Sequence, residues 1–280
     1  MPISSDTAFI GVDFTSAPGP RKPITVAHGR LQGALLRLER VDTLPGFAGF
    51  EALLAAPGPW LGAFDFPFGL PRAFVDAQAL GTDADAVIGE LHRRCGTRMG
   101  FRALVDAWGN DQPPGQRLLH RRCDTAMAGL RSTSPLQTRY VPVGFMYFEG
   151  LSRLVAAGVT IPRLRAGDAA RVALEGYPGL VAHGVLGARS YKNDKPGEGG
   201  DRLIARKDLI EALEQGRTRW GLRVKLTHAQ RDALAADASG DRLDAVLCLL
   251  QAAWAGGQPD FGLPPQVDAV EGWIVGAAVR

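Results

Sequence analysis

Five carboxylates in this chain stand where an acid needs a reason to be. Asp65 closes an apolar run, WLGAF at 60–64, and a Pro-Phe-Gly-Leu-Pro break follows at 67–71. Such a run reads as a strand buried on both faces, and a carboxylate at its end is costly unless a cation or hydrogen-bond donors meet it. Asp13 comes at the end of a similar run, TAFIGVDF at 7–14, and Glu175 ends another at 169–175 before a Gly-Tyr-Pro turn. Asp241 and Asp244 open the strongest helical stretch, DRLDAVLCLLQAAWA at 241–255, and at i and i+3 they share one helix face. Acids of this kind can hold metal. Two divalent ions about 3.5 to 4 Å apart, held by carboxylates, promote in-line displacement at phosphorus.

Each acid also has a structural reading. Asp65 and Asp13 can simply turn the chain, as Asp, Pro and Gly commonly do. Glu175 can hold its own loop by accepting amide hydrogen bonds. Asp241 can cap its helix, with Asp244 as the acid of a capping box, and that pairing favours the helix dipole without any metal.

The elements that must position these acids follow from pattern and punctuation. Residues 7–14 read as a first strand, 24–28 and 31–41 as two more joined at Gly29-Arg30, and 47–56 as a short helix stopped by Pro57-Gly58. The strand ending at Asp65 comes next. From 71 to 165 the pattern is mostly helical, including a helix over 145–157 stopped at Gly158, and 169–177 returns to strand. The glycine-rich stretch 191–201 reads as a mobile loop, with helices expected over 202–215, 227–236 and 241–255. The expected domain plan is a core of 1–70 plus 166–280 interrupted by a helical insertion at 71–165.

Composition narrows the function classes. With 46% hydrophobic residues in a chain of 280, a substantial core can be buried. No apolar run approaches the roughly 20 residues of a membrane span, and the start, MPISSDTAFIGVDF, lacks the basic and apolar parts of a secretory signal, so a cytoplasmic protein that engages no membrane is expected. Cys95, Cys123 and Cys248 have neither the parity nor the spacing of a disulfide framework or zinc cluster. Net charge is +3, carried mostly by arginine, and eight arginines lie between Arg93 and Arg131 against three acids. A patch of that kind suits phosphate, and so a nucleic acid or nucleotide partner, although an arginine-rich helix is often only a solvated face.

Three strands, a helix, a fourth strand, a helical insertion, a fifth strand and a late buried helix form the order of a ribonuclease H-like fold. In that fold a mixed five-stranded sheet is flanked by helices, and strands one and four run parallel about 4.8 Å apart. GVDFTSAP (11–18), FDFPFGLP (64–71), EGYP (175–178) and DRLDAVLCLLQAA (241–253) resemble the family called domain of unknown function 429, described as predicted ribonuclease H-like nucleases. The late helix also looks like that of Holliday-junction resolvases, where an Asp-x-x-Asp-Ala helix completes a metal site. The resemblance implies a Mg²⁺- or Mn²⁺-dependent phosphodiesterase in which Asp13, Asp65, Asp241 and Asp244 are metal ligands and Glu175 is a further catalytic acid. It also matches Lys192 to a lysine of the following loop, and Arg121, Arg122 and Ser16 join Lys192 as expected substrate contacts. Gly179 stands where many relatives carry a second Glu.

Two other readings stay open. GVDFTS at 11–16 resembles a first phosphate loop of an actin-like phosphotransferase or ATPase, but no second copy of the domain is visible. The other is a binding module for nucleic acid or nucleotide that keeps the acids as structure. No Walker loop, GxGxxG or histidine-rich motif supports a further class.

Overall fold

Apolar alternation near the N-terminus builds the centre of a sheet. In the computed structural model, which describes residues 6–127, 129–192 and 199–277, the chain forms β1 (Ala8–Asp13), the hairpin β2 (Ile24–Gln32) and β3 (Leu35–Leu44), α1 (Phe47–Ala55) and β4 (Trp60–Phe64). The expected insertion supplies α2 (Arg72–Ala77), α3 (Ala84–Cys95), α4 (Arg98–Asn110), α5 (Arg122–Thr125), α6 (Val143–Ala156) and β5 (Val159–Thr160). Then come β6 (Asp168–Glu175), α7 (Pro178–Leu186), α8 (Gly199–Gln215), β7 (Arg223–Lys225), α9 (His228–Ala236) and α10 (Asp241–Gly256).

The result is an α/β fold with a mixed seven-stranded sheet in the order β5-β6-β4-β1-β2-β3-β7. β1 pairs antiparallel with β2 and parallel with β4, and β4 pairs parallel with β6. The strand count is therefore seven, not five. The two additions, β5 and β7, are edge strands of two and three residues, too short to carry a period-2 pattern. The β2–β3 turn falls at Gly33-Ala34, after a bulge at His28/Gly29, not at Gly29-Arg30. Of the loop expected at 191–201, residues 193–198 lie outside the described residues, and α8 already begins at Gly199.

Helices cover both faces. On one face α10 packs with α7, α8 and α9 over Phe9, Leu61, Ala63 and Leu174. On the other, α1 and the helices of the 71–165 segment bury Phe50, Phe74, Phe101 and Phe148 against Ile10, Val12 and Phe64. The 71–165 segment is thus a layer of the core that shares its interior with the sheet. Among the described residues, no helix is long and apolar enough to cross a membrane.

One glycine fixes how closely α10 approaches. A Cβ on Gly11 would lie 2.0 Å from the Ala245 carbonyl oxygen and 2.1 Å from the Leu249 nitrogen. Only a residue without a side chain lets β1 and α10 touch backbone to backbone, and this contact brings the first turn of α10 to the end of β1.

Candidate metal centre

Strand register places the first two acids. In the parallel β1–β4 pair Val12 faces Phe64, and the Asp65 amide donates to the Val12 carbonyl at 2.9 Å, extending the ladder by one residue. Asp13 and Asp65 therefore stand side by side at the ends of neighbouring strands. Alternation sets their direction: Phe64, Phe66 and Phe68 bury in the core on the far face, with ring centroids 5.1 to 6.4 Å apart. Asp65, between them, is turned toward α10.

The first turn of α10 brings Asp244, which is 0% exposed. One carboxylate oxygen from each of Asp13, Asp65 and Asp244 lies within 4.8 Å of the others. Burial raises the Asp13 carboxyl well above its ordinary value, and the charges of Asp244, Asp241 and Asp65 add to the effect. Burial, then Asp244, pushes Asp65 up from 3.8 to about 7. Burial raises Asp244 too, opposed by Lys192. Three hard oxygen donors that repel one another at this spacing fit a small divalent cation, which relieves both the burial cost and the repulsion.

Asp244 has two organic partners as well. The Lys192 ammonium donates to Oδ2 and the Tyr191 hydroxyl to Oδ1. The segment that carries them is clamped by buried Arg206, which donates to the carbonyls of Tyr191 and Ala235, each at 2.8 Å. Gly240, at φ +77°, lets this turn close over the helix start, because a Cβ there would come within 3.1 Å of Lys192 Cγ.

Asp241 takes a different place. It lines the same cleft, half-buried, but stands outside the trio, and its charge acts on Asp13. It is not the cap of α10. Gly240 occupies that position, and the Asp237 carboxylate accepts the Arg242 amide at 2.9 Å and the Ser239 hydroxyl at 2.7 Å. Asp237, three residues before the Gly240 cap, thus satisfies a first-turn amide of α10 with its side chain. Asp241 and Asp244 are thereby released from capping.

Glu175 does not join the trio. It is in register with Phe64, so its side chain projects to the face opposite Asp65. There it accepts the Phe68 amide at 2.9 Å and a bidentate pair from Arg121 at 2.6 and 2.8 Å. Burial raises its carboxyl and Arg121 opposes the rise. Glu175 therefore braces the loop that follows Asp65, not its own loop as expected. Arg121, expected to contact substrate, has no N–H left to offer. Its side chain is 1% exposed, and it also donates to Asp124 through Nε and Nη2 and to the Glu271 carbonyl through Nη1. The Glu271 carboxylate in turn receives the amides of Arg72 and Arg122, tying the starts of α2 and α5 to the C-terminal segment.

The other arginines are mostly engaged. Arg93 and Arg94 pair with Glu90, Arg98 donates to the Ser16 carbonyl at 2.5 Å, and Arg102 donates to the Thr138 carbonyl. Arg117, Arg122 and Arg131 are exposed, but none lines the cleft. The cleft itself, of about 780 Å³, runs from Asp13, Thr15, Ser16, Asp65, Lys192 and Asp241 to a wall of Ser132, Thr133 and Tyr140–Val143 from the helical layer. Ser16 thus borders the cleft, whereas Arg121 supports its floor and Arg122 lies outside.

Fold and site together define an α/β protein whose parallel strand ends and late helix converge on three aspartates, two of which, Asp13 and Asp65, line an open cleft above the buried Asp244. The family model described as "Protein of unknown function (DUF429)" matches residues 11–267, and the chain belongs to that family. No curated protein and no solved structure matches it.

Proposed function

We propose that this protein is a ribonuclease H-like nuclease of the cytoplasm that hydrolyses phosphodiester bonds with Mg²⁺ or Mn²⁺. The observation that carries the reading is the convergence of Asp13, Asp65 and Asp244 within 4.8 Å. Support comes from the middle of the sheet, where β3-β2-β1-β4-β6 run in ribonuclease H-like order with β1 and β4 parallel. A divalent cation held by the trio supplies a Lewis acid for a phosphoryl oxygen and lowers the pKa of water. The chain's own residues do the rest. Lys192, beside Asp244, 36% exposed and lining the cleft, is placed to meet a phosphate oxygen of the substrate. Asp241 adds negative charge at the rim that favours cation entry. Arg121 and Glu175 fix the loop after Asp65 and so hold that carboxylate in place.

The test is cleavage of labelled single- and double-stranded DNA and RNA with Mg²⁺, Mn²⁺ or EDTA, by wild type and by Asp13→Asn, Asp65→Asn and Asp244→Asn. Metal-dependent cutting abolished by each substitution is expected. Cleavage that persists in the variants, or none on any substrate, overturns the reading.

A second reading has its own observation. Lys192 and Tyr191 already take both oxygens of Asp244, a compensation that serves a metal-free binding module equally well. Binding of nucleic acid or nucleotide without metal-dependent turnover is its signature.

A further inference from the structure

Opposite the aspartates, the cleft wall carries a side chain that burial cannot explain. Tyr140 is 98% exposed and the neighbouring Val141 is 58% exposed, while both line the cleft. Here two adjacent large side chains stand out in water on the cleft wall, and Tyr140 also adopts φ +31°, a conformation that L residues rarely take. Strain of this kind persists where the surroundings over-determine it, often at ligand-binding positions.

The surroundings here are stiff. Thr138 is 2% and Leu136 0% exposed, and the Thr138 carbonyl accepts from Arg102. Arg139 pairs with Asp106 at 2.7 Å, its amide donates to Gln137 Oε1 at 3.0 Å, and the Gly144 amide donates to the Gln137 carbonyl at 2.8 Å. The backbone that presents the Tyr140 ring is thus held in place, with the ring itself free in the cleft. The tight turn closed by reciprocal Gly19–Lys22 backbone bonds of 3.1 Å puts Lys22 on the same cleft, exposed and with no carboxylate partner among the described residues.

An aromatic face, a free ammonium and a cation-binding trio around one open cleft are the parts that recognise a nucleotide strand: base, phosphate backbone and scissile group. We infer that Tyr140 is a stacking platform for an unpaired base, with Lys22 on the flanking phosphate, so that the cleft takes single-stranded or locally unpaired nucleic acid in preference to intact duplex. Stacking needs a free π-face, which a paired base inside a duplex does not offer. The inference rests on the nuclease reading and adds to it the form of the substrate.

The experiment measures fluorescence anisotropy of a fluorescein-labelled mixed-sequence DNA single strand and of its blunt duplex, across a salt series with Mg²⁺. The proteins are Asp13→Asn, which binds without cutting, and the same protein carrying Tyr140→Ala, Tyr140→Trp or Lys22→Ala. Tyr140→Ala should weaken single-strand binding roughly tenfold and leave the salt slope unchanged, since stacking releases no counterions, and Tyr140→Trp should restore it. Lys22→Ala should lower the slope by about 0.7, the share of one phosphate on a single strand. Duplex binding should be weaker throughout and indifferent to Tyr140. Equal single-strand affinity with Ala at 140, or an equal loss on duplex, overturns the platform while leaving intact the nuclease reading, which wild-type cleavage decides. A parent protein that binds no nucleic acid, with a wild type that cuts none, removes both.

Discussion

The backbone of Gly11 lies against that of Ala245 so closely that a methyl group on Gly11 would sit 2.0 Å from the Ala245 oxygen. Gly11 is two residues before Asp13, and Ala245 directly follows Asp244. The same contact that seats α10 on β1 therefore sets the distance between two of the three site carboxylates. Gly11→Ala has no flexible neighbour to displace, because the atoms in its way are backbone. A loss of at least about 3 kcal/mol in denaturant unfolding is expected, together with a weakened response to Mn²⁺ if the chain still folds. A variant of wild-type stability would mean that α10 can shift freely along the sheet.

A pH dependence follows from the trio. An acid whose carboxyl is raised in the fold binds its proton more tightly when folded, so its stabilising contribution is present at low pH and is lost as pH rises through the folded value. For Asp65 that window runs from about 3.8 to about 7. In EDTA, the melting midpoint of wild type relative to Asp65→Asn should fall as pH rises through this window. With millimolar Mn²⁺ the difference should reverse above it, because the cation binds the ionised carboxylates and stabilises the folded form by mass action. A wild-type-minus-variant difference that is flat with pH in EDTA contradicts the burial and charge repulsion that raise Asp65.

The Arg121–Glu175 pair separates support from chemistry. Removing one partner leaves an unpaired buried charge, so Arg121→Ala should cost about 3 to 5 kcal/mol. Replacing both, as Arg121→Met with Glu175→Leu, should cost less than Arg121→Ala alone, although Asp124 keeps part of the penalty because it loses the same guanidinium. Glu175→Gln should keep the Mn²⁺-induced shift in melting temperature. If Glu175→Gln abolishes that shift, Glu175 takes part in holding the cation.

What the sequence makes legible here depends on how local the cause is. Asp13 and Asp65 each end an apolar run, and the neighbouring phenylalanines of FDFPF alternate, so their exposure to a shared face can be read from pattern alone. Glu175 has the same signature and the opposite outcome, because its direction is set by the pairing of Phe64 with Glu175, and register is not written in either strand by itself. In the sequence Arg121 reads as part of a basic patch, whereas its partners come from residues 124, 175 and 271, which no local spacing brings together. The short edge strands and the turn at Gly33-Ala34 escape for a similar reason: pairing partners and a bulge decide them, not propensity. Tyr140 carries no sequence signal at all, since exposure is a property of the folded wall.

The start of α10 gives the sharpest division between cap and ligand. Asp237 accepts the Arg242 amide, so Asp237→Ala should cost about 1 kcal/mol in thermal unfolding and leave the Mn²⁺ response intact. Asp241 lines the cleft without capping the helix or joining the trio, so Asp241→Asn should change stability little and weaken Mn²⁺ binding only modestly, by losing a nearby charge. Asp244→Asn differs from both. It removes one cation ligand and the ionic partner of Lys192, and it relieves the repulsion on Asp13. Its Mn²⁺-induced shift should vanish, and its metal-free midpoint should stay within a few degrees of wild type, as the lost ion pair and the relieved repulsion oppose each other. The measurement is the melting temperature of the four proteins with and without Mn²⁺. If Asp244→Asn retains the full Mn²⁺ shift while Asp241→Asn loses it, the cation sits at the rim of the cleft and the buried trio is not its site.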